Sequence, residues 1–280
     1  MRVVTAARRQ DDETAFILGE EVSLATQFLE QGHVILPVED QLGLDRIREQ
    51  IATAAARHLN AGVPDDLGAF LDGIHNRVTG EALNALRLAV IEGLNATPWA
   101  RPTYFRLARR ALEVIVGNEL AMQRRLNLSV QMPEDTSSLL PVHSDVWDGD
   151  SPFEIVVWLP LVDVFHTKSM FLLPPEANAR TEANWAQFAG KSAEDLFKVI
   201  EPDLTWLEIP YGHILLFQQN LMHGNTVNRE STTRWSMNCR FKSVMSPYAE
   251  KRLGDFFEPI TLKAATRLGM SYKLPEGHPE

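Results

Sequence analysis

Hydrophobic residues recur at three- and four-residue spacings through the first 123 positions of the chain. This period matches one face of an α-helix. The clearest stretch, residues 39–56, has an apolar stripe and is expected to lie against a core. The stripe consists of Leu44, Ile47, Ile51 and Ala55. Further helices are predicted at 65–74, 79–94 and 102–123, separated by short segments rich in Gly, Pro and Asn.

The period changes after residue 125, where 126–132 alternates apolar and polar residues as a half-buried strand does. One helical insertion is predicted at 182–198. Further strands are predicted at 142–147, 153–161, 169–173, 204–209, 214–217 and 234–244. The pattern predicts an α+β protein with a double-stranded β-helix (jelly roll) core and a helical N-terminal part packed on it. Its regions are 1–123 (helical), 124–245 (core) and 246–280 (C-terminal extension), expected to form one structural unit.

His143 and Asp145 are separated by Ser144 alone, so on a strand their side chains would share one face. His223, far along the chain, could complete a set of two histidines and one carboxylate. Such a set occupies one face of a metal and leaves the opposite positions open, as in non-haem Fe(II) oxygenases. Each part has a plainer interpretation by itself, because a carboxylate can simply hold a neighbouring histidine, and a lone His in Met-His-Gly is common. The joint pattern favours a metal site.

Arg234 and Ser236 follow His223 and are suited to gripping a carboxylate through charge-assisted hydrogen bonds. Polar residues alternate with apolar ones through this last long strand. The polar face of the strand would point either to solvent or into an internal cavity. The polar positions are Arg234, Ser236, Asn238 and Arg240, and the apolar ones are Trp235, Met237, Cys239 and Phe241. The upstream ligands favour the cavity. Asn127, Ser129 and Gln131 show the same alternation and are expected to add another wall.

Four further residues are candidate contacts for a substrate: Trp147, Lys168, Asn225 and Arg240. Trp147 shares the predicted face of the ligands and could wall the cavity. Arg240 is equally an ion-pair partner, and Lys168 is more simply a solvated loop cation. Asn225 either shapes the turn after His223 or touches the substrate.

The order His-x-Asp, distant His, Arg-x-Ser resembles the Fe(II)/2-oxoglutarate-dependent oxygenases, in particular the branch that includes phytanoyl-CoA hydroxylase. Within that superfamily, the stretches 143–160 and 168–175 are similar to carbohydrate-cluster oxygenases such as the lipopolysaccharide Kdo (3-deoxy-D-manno-octulosonic acid) 3-hydroxylases. The superfamily match rests on the last 160 or so residues. The subfamily match rests on these two short stretches of sequence alone.

The resemblance implies that His143, Asp145 and His223 hold Fe(II), and that Arg234 and Ser236 bind the co-substrate 2-oxoglutarate. Gln131 and Asn127 are expected to assist in binding it, and O2 is the second co-substrate. A carboxylate at position 145 points to hydroxylation or another non-halogenating oxidation, because related halogenases carry a small residue there. The resemblance further implies an anionic sugar or glycolipid substrate, with Kdo in lipopolysaccharide first.

Composition limits the classes of molecule that the protein is expected to bind. A net charge of −10 argues against nucleic-acid binding, which needs a basic face, but local cations can still build a positive pocket for a small molecule. Residues 1–12 turn polar before any run of signal-peptide length, and no membrane span is evident. The single cysteine, Cys239, cannot form an internal disulfide. We expect a cytoplasmic protein; peripheral contact with the inner membrane and homo-oligomer formation are left open.

Two other classes compete with the oxygenase. One is a metal-containing jelly roll that binds or isomerises a sugar, or hydrolyses a substrate, without O2 chemistry, since the same ligands accept other divalent metals. The other is a non-catalytic 2-oxoglutarate sensor. Arg234 and Ser236 distinguish the first, because they have a ready role with 2-oxoglutarate and no necessary one otherwise. A hydroxylase of some other small molecule also stays open.

Overall fold

A computed structural model describes residues 16–277, and the polar N-terminal stretch considered above, residues 1–12, lies outside them. The helices are α1 (Gly19–Gln31), α2 (Gln41–His58), α3 (Leu67–Asp72), α4 (Gly80–Asn95), α5 (Ala100–Arg106), α6 (Arg109–Ile115), α7 (Pro175–Ala183), α8 (Ala193–Ile200) and α9 (Ala264–Ser271). The strands are β1 (His33–Pro37), β2 (Leu120–Gln123), β3 (Asn127–Gln131), β4 (Ile155–Pro160), β5 (Phe171–Leu172), β6 (Thr205–Trp206), β7 (His213–Gln218), β8 (His223–Gly224), β9 (Arg234–Ser243) and β10 (Phe257–Pro259). Within this part of the chain, no helix is long and apolar enough to cross a membrane.

The strands form two antiparallel sheets. The main sheet has the order β1-β7-β4-β9-β2-β10, and β3 also pairs with β9; the small sheet has the order β6-β5-β8. An apolar cluster joins Val156 and Trp158 of the main sheet to Leu172 of the small one. The two sheets therefore pack face to face, and the predicted α+β jelly-roll fold is confirmed.

The N-terminal helices cover the other face of the main sheet. Trp235, Met237 and Cys239 of β9 belong to the same buried cluster as the apolar residues of α2 and α4. The Trp235 indole donates to the Leu71 carbonyl at 2.9 Å, and the Tyr104 hydroxyl donates to the Val157 carbonyl at 2.9 Å. The apolar face of β9 is thus fixed beneath the helices, and its polar face is turned toward the small sheet.

Two predictions within the first 123 residues are wrong in detail. The helix predicted at 102–123 is divided into α5 and α6, and its last residues form β2, which pairs with β9 and β10. Gly117, with φ +128°, lies at the break. The segment His33–Pro37 is strand β1, paired with β7. Pairing with distant strands decides the conformation of such short apolar runs, and local periodicity cannot report it.

The segment around the candidate ligands also differs from the predicted strand 142–147. His143 forms an isolated β-bridge, and Asp145 begins a short 3-10 helix, Asp145–Asp148. The predicted helical insertion at 182–198 is present as α7, a 3-10 turn and α8. Strands β1 and β2 of the main sheet come from the first predicted region, while the boundaries at 123 and 245 stay predictions.

Candidate metal centre

His143, Asp145 and His223 converge at one end of the space between the sheets. Their nearest ligand atoms all lie within 4.8 Å of one another. Asp145 Oδ1 is 3.6 Å from His143 Nε2 and 3.9 Å from His223 Nε2. One carboxylate oxygen therefore faces both ring nitrogens, as a single metal ion would require.

The main chain sets this spacing. His143 and His223 are joined by reciprocal backbone hydrogen bonds, and His223 is also paired with Leu172 of β5. The Asp145 amide donates to the Gln219 carbonyl at 3.0 Å. Ligands that lie far apart in the sequence are thus held in register by backbone pairing.

Both histidine rings are oriented for metal binding. His143 Nδ1 lies 2.8 Å from the Pro141 carbonyl oxygen, and His223 Nδ1 lies 2.8 Å from the Leu221 carbonyl oxygen. A carbonyl can only accept, so each Nδ1 carries a proton, and in the neutral ring the other nitrogen, Nε2, keeps the lone pair that a metal needs. Such outer hydrogen bonds fix the tautomer and the ring of a metal-ligating histidine.

The charge states of Asp145 and His223 fit a divalent cation. For His143, burial works to lower the pKa but the contact with Asp145 outweighs it and raises that pKa, so metal binding would displace a proton from this ring. Burial works to raise the pKa of Asp145, but the hydrogen bond with His143 and the charge of Arg240 outweigh it and hold that pKa well below its usual range. Burial, together with the His143 charge, lowers the pKa of His223 to about 4. An ionised carboxylate and a neutral imidazole are the forms that bind metal.

Arg234 provides a second, separate feature of the same cavity. Its guanidinium is buried and donates to the Ser169 carbonyl at 3.1 Å and to the Ser129 hydroxyl at 3.2 Å. Within residues 16–277, Arg234 Nε and the Ser236 hydroxyl have no hydrogen-bond partner, and no carboxylate forms an ion pair with Arg234. Burial lowers the pKa of Arg234 to about 10, so it stays charged. A buried, uncompensated cation calls for an anionic ligand.

The ligands and Arg234 line one cavity of about 200 Å³. Its polar wall comes from β3, β9 and the turn after His223, as the strand alternation predicts. Its other lining residues are Asn127, Ser129, Leu140, Val156, Trp158, Met170, Phe217, Gly224, Asn225, Ser236, Asn238 and Arg240. Trp158 of β4 is buried and lines the cavity as well.

Three candidate residues are not part of the lining. Gln131 supports the turn after His223, donating to the Thr226 carbonyl at 2.6 Å. Lys168 is fully buried and pairs with Asp72 at 2.6 Å, so it is not a solvated loop cation. Trp147 is 43% exposed and packs against Trp185 in a tilted arrangement, with ring centroids 4.9 Å apart. Binding of 2-oxoglutarate by Gln131 and of substrate by Lys168 and Trp147 stay predictions.

Arg240 does lie in the cavity wall, where its Nη2 is 2.9 Å from Asp145 Oδ2. Its ion-pair interpretation is therefore the one that the structure supports. Sequence reasoning missed Asp150 and Gln219, which also contact the Arg240 side chain. Gln219 lies just after β7 with no motif around it, so only the fold brings it to the site.

Comparison with known proteins supports the fold. No family model matches the sequence, and no curated protein matches it. Among solved structures, the chain is similar to the non-heme monooxygenase ThoJ in a nickel complex, with TM-score 0.54 and 18% identity over 92% of this chain and 89% of that one. It is also similar to apo EctD from S. alaskensis, with TM-score 0.54 and 16% identity over 90% and 82% of the two chains. The alpha-ketoglutarate-dependent carbocyclase SnoK from nogalamycin biosynthesis has TM-score 0.52 and 15% identity over 88% and 97%. At these identities the comparison establishes a shared fold.

Proposed function

We propose that this protein is an Fe(II)/2-oxoglutarate-dependent oxygenase that hydroxylates a C–H bond of a small molecule. The observation that carries the proposal is one cavity that holds both a two-histidine, one-carboxylate cluster and a buried arginine for which residues 16–277 provide no acidic partner. The first feature fits a metal, and the second fits the remote carboxylate of a dicarboxylate co-substrate. The shared fold with a monooxygenase and an alpha-ketoglutarate-dependent carbocyclase agrees with both.

Each residue has a separate task. His143, Asp145 and His223 would hold Fe(II) from one side and leave its other positions open. Arg234 would bind the 5-carboxylate of 2-oxoglutarate, with the unpaired Ser236 hydroxyl donating a further hydrogen bond. When bound, Fe(II) supplies the oxidation chemistry together with 2-oxoglutarate and O2, with release of succinate and CO2.

The apolar part of the wall would keep water away from the reacting groups. Val156, Trp158, Met170 and Phe217 line the cavity and are all buried. Exclusion of water strengthens the ion pair between Arg234 and a bound carboxylate, because charges attract more strongly in a low-dielectric site.

The test is succinate formation from 2-oxoglutarate by protein loaded with Fe(II) in the presence of ascorbate. We compare wild type with His143→Ala, Asp145→Ala and Arg234→Ala, and use Arg229→Ala, an exposed arginine paired with Glu134, as the matched control. We expect turnover in wild type and the control alone. Equal succinate formation in all five proteins would remove the assignment. Metal content after anaerobic purification, and the visible band of Fe(II) with 2-oxoglutarate, distinguish it from a non-oxidative metalloprotein.

For the substrate we propose an anionic sugar, with Kdo in a lipid A precursor first. The sequence resemblance in 143–160 and 168–175 supports this choice. Amide groups suited to sugar hydroxyls also line the cavity, from Asn127, Asn225 and Asn238. The cations Arg240 and Lys168 are paired within the protein, and Asn225 and Asn127 also make internal hydrogen bonds, so a substrate would share these groups with their present partners.

Mass spectrometry of lipid A from an overexpressing host tests the substrate. We expect the Kdo region to gain one oxygen atom with wild type and no mass change with Asp145→Ala. An unchanged mass with wild type in several acceptor strains would reject Kdo and leave the oxygenase assignment standing.

A further inference from the structure

We propose that Arg240 is a positioning residue that makes Asp145 a one-oxygen ligand. Its Nη2 lies 2.9 Å from Asp145 Oδ2, whereas Oδ1 faces His143 Nε2 and His223 Nε2. The arginine thus binds the oxygen that the histidines do not face. This inference rests on the proposed metal-binding function and deepens it.

The pair is shielded from solvent. The side chains of Arg240 and Asp145 are 14% and 10% exposed. An exposed ion pair contributes little to positioning, because water and salt screen it and both side chains stay mobile. Burial removes that screening, so the contact can hold the carboxylate in one orientation.

Arg240 is itself fixed by several partners. Its Nε donates to Gln219 Oε1 at 3.1 Å and lies 3.5 Å from Asp150 Oδ1. Its backbone amide donates to Gln123 Oε1 at 3.2 Å. A planar guanidinium held on two edges cannot rotate freely, which a point-like ammonium in the same place could do.

Gln219 connects the two members of the pair. Its backbone carbonyl accepts from the Asp145 amide at 3.0 Å, and its side chain accepts from Arg240. The Gln219 amide group then donates to the Ser151 carbonyl at 2.9 Å and to Glu154 Oε2 at 3.0 Å. One buried residue therefore sets both the main chain of the ligand and the orientation of the arginine that holds it.

The negative charge of Asp150, at the end of this hydrogen-bond network, is neutralised by ion pairs. Asp150 is buried and forms an ion pair with Lys251 as well as with Arg240. Two cations thus share the Asp150 and Asp145 carboxylates, and Arg240 keeps its hydrogen bonds without drawing Asp145 away from the histidines.

The consequence for a bound metal would be a limit on the number of ligand atoms that the protein supplies. A carboxylate can bind a metal through one oxygen or two. With Oδ2 engaged by Arg240, Asp145 would offer Oδ1 alone, so the protein would supply three ligand atoms and leave the other positions to a chelating co-substrate and O2. Removal of Arg240 would free Oδ2 and leave the carboxylate poorly oriented.

The test is anaerobic Co(II) titration without 2-oxoglutarate, followed by calorimetry and visible absorption. We compare wild type with Arg240→Gln and Arg240→Lys, and use Arg106→Gln, which breaks a separate arginine–aspartate pair with Asp40, as the matched control. We expect Arg240→Gln to weaken Co(II) binding by about tenfold to a hundredfold and to alter the Co(II) spectrum. Arg240→Lys should recover part of the affinity, and the control should match wild type.

The outcomes separate the two proposals. If wild type binds no Co(II), the proposed metal function is wrong and the role of Arg240 falls with it. If wild type binds Co(II), and Arg240→Gln binds it with the same Kd and spectrum, the positioning role is overturned and the metal site stands. Asp150→Asn, which keeps both Arg240 and Asp145, covers the case in which Arg240→Gln does not fold. It should weaken Co(II) binding to a smaller degree, and an unchanged Kd would overturn the role.

Discussion

The main chains of His143 and His223 are joined by two reciprocal hydrogen bonds, 3.0 Å from the His143 amide to the His223 carbonyl and 2.9 Å in the opposite direction. This bridge fixes the separation of the two imidazoles before any metal binds. The next residue, Gly224, allows the close approach. A Cβ at position 224 would lie 2.7 Å from the Leu140 carbonyl oxygen and 3.1 Å from the Pro141 carbonyl oxygen.

Gly224→Ala should therefore disturb the metal centre. The added methyl group must push the 140–141 backbone away, which shifts His143 relative to His223; overpacking of this kind costs about 1–3 kcal/mol of stability. We expect Co(II) binding to weaken by about tenfold, which corresponds to about 1.4 kcal/mol. Gly62→Ala, at a site with open space, is the control. Equal Co(II) affinity in both variants would contradict the prediction.

Arg234→Lys should impair use of 2-oxoglutarate more than binding of metal. Lysine keeps the charge but lacks the planar group that donates to Ser169 and Ser129 and binds a carboxylate on two atoms. We expect the KM for 2-oxoglutarate to rise about tenfold or more, since a charge-assisted hydrogen bond contributes about 1.5–3 kcal/mol. Succinate formation measured against 2-oxoglutarate concentration checks this. An unchanged KM would place the co-substrate elsewhere.

The ion pair of Lys168 with Asp72 should matter for stability and not for turnover. The Lys168 side chain is 1% exposed and that of Asp72 is 32% exposed. Asp72→Ala leaves a buried ammonium without a partner and should cost about 2–3 kcal/mol, whereas Lys168→Met leaves a carboxylate that water can reach and should cost about 1 kcal/mol. Urea unfolding measures both. Loss of 2-oxoglutarate turnover in a folded Lys168→Met protein would instead support a direct role in the site.

Glu154 should make stability depend on pH. Burial, aided by the charge of Asp150, raises the pKa of Glu154 from 4.5 to about 7 despite hydrogen bonds from the Ser151 amide and Gln219. The folded state then binds this proton more tightly than the unfolded chain, so the stabilisation is present at acid pH and lost as pH rises from about 4.5 to about 7.

Glu154→Gln lacks this titration, which provides the measurement. The free energy of unfolding of wild type, relative to the variant, should fall by up to about 3 kcal/mol between pH 4.5 and pH 7.5, since each pKa unit corresponds to about 1.4 kcal/mol. Parallel pH profiles for the two proteins would show that Glu154 titrates normally.

The strand β9 shows how much local pattern can predict. Its strict alternation of Arg234, Ser236 and Asn238 with Trp235 and Met237 predicted one polar and one apolar face, and the structure has both. The pattern could not say which face meets solvent. The helices cover Trp235 and so bury the apolar face of β9, which leaves the polar face as a cavity wall.

Segments whose conformation depends on distant partners were predicted less well. Residues 120–123 have a composition typical of a helix but form β2, because their backbone pairs with β9 on one side and with β10 on the other. Asp145 was expected on a strand with His143 and instead begins a 3-10 helix. The Asp145 carboxylate still reaches both histidines, because the Asp145 backbone amide donates a hydrogen bond to the Gln219 carbonyl.

The sequence by itself determined the residue types of the candidate site and their order along the chain: His143, Asp145, His223, Arg234 and Ser236. These follow from side-chain chemistry and short-range spacing, which a linear pattern carries directly. The tertiary structure alone decided that Arg240 forms an ion pair with Asp145, and that Lys168 is buried against Asp72. The partner of a charged side chain is whichever opposite charge the fold brings within a few ångströms, and that proximity comes from sheet register and helix packing, not from neighbours in the sequence.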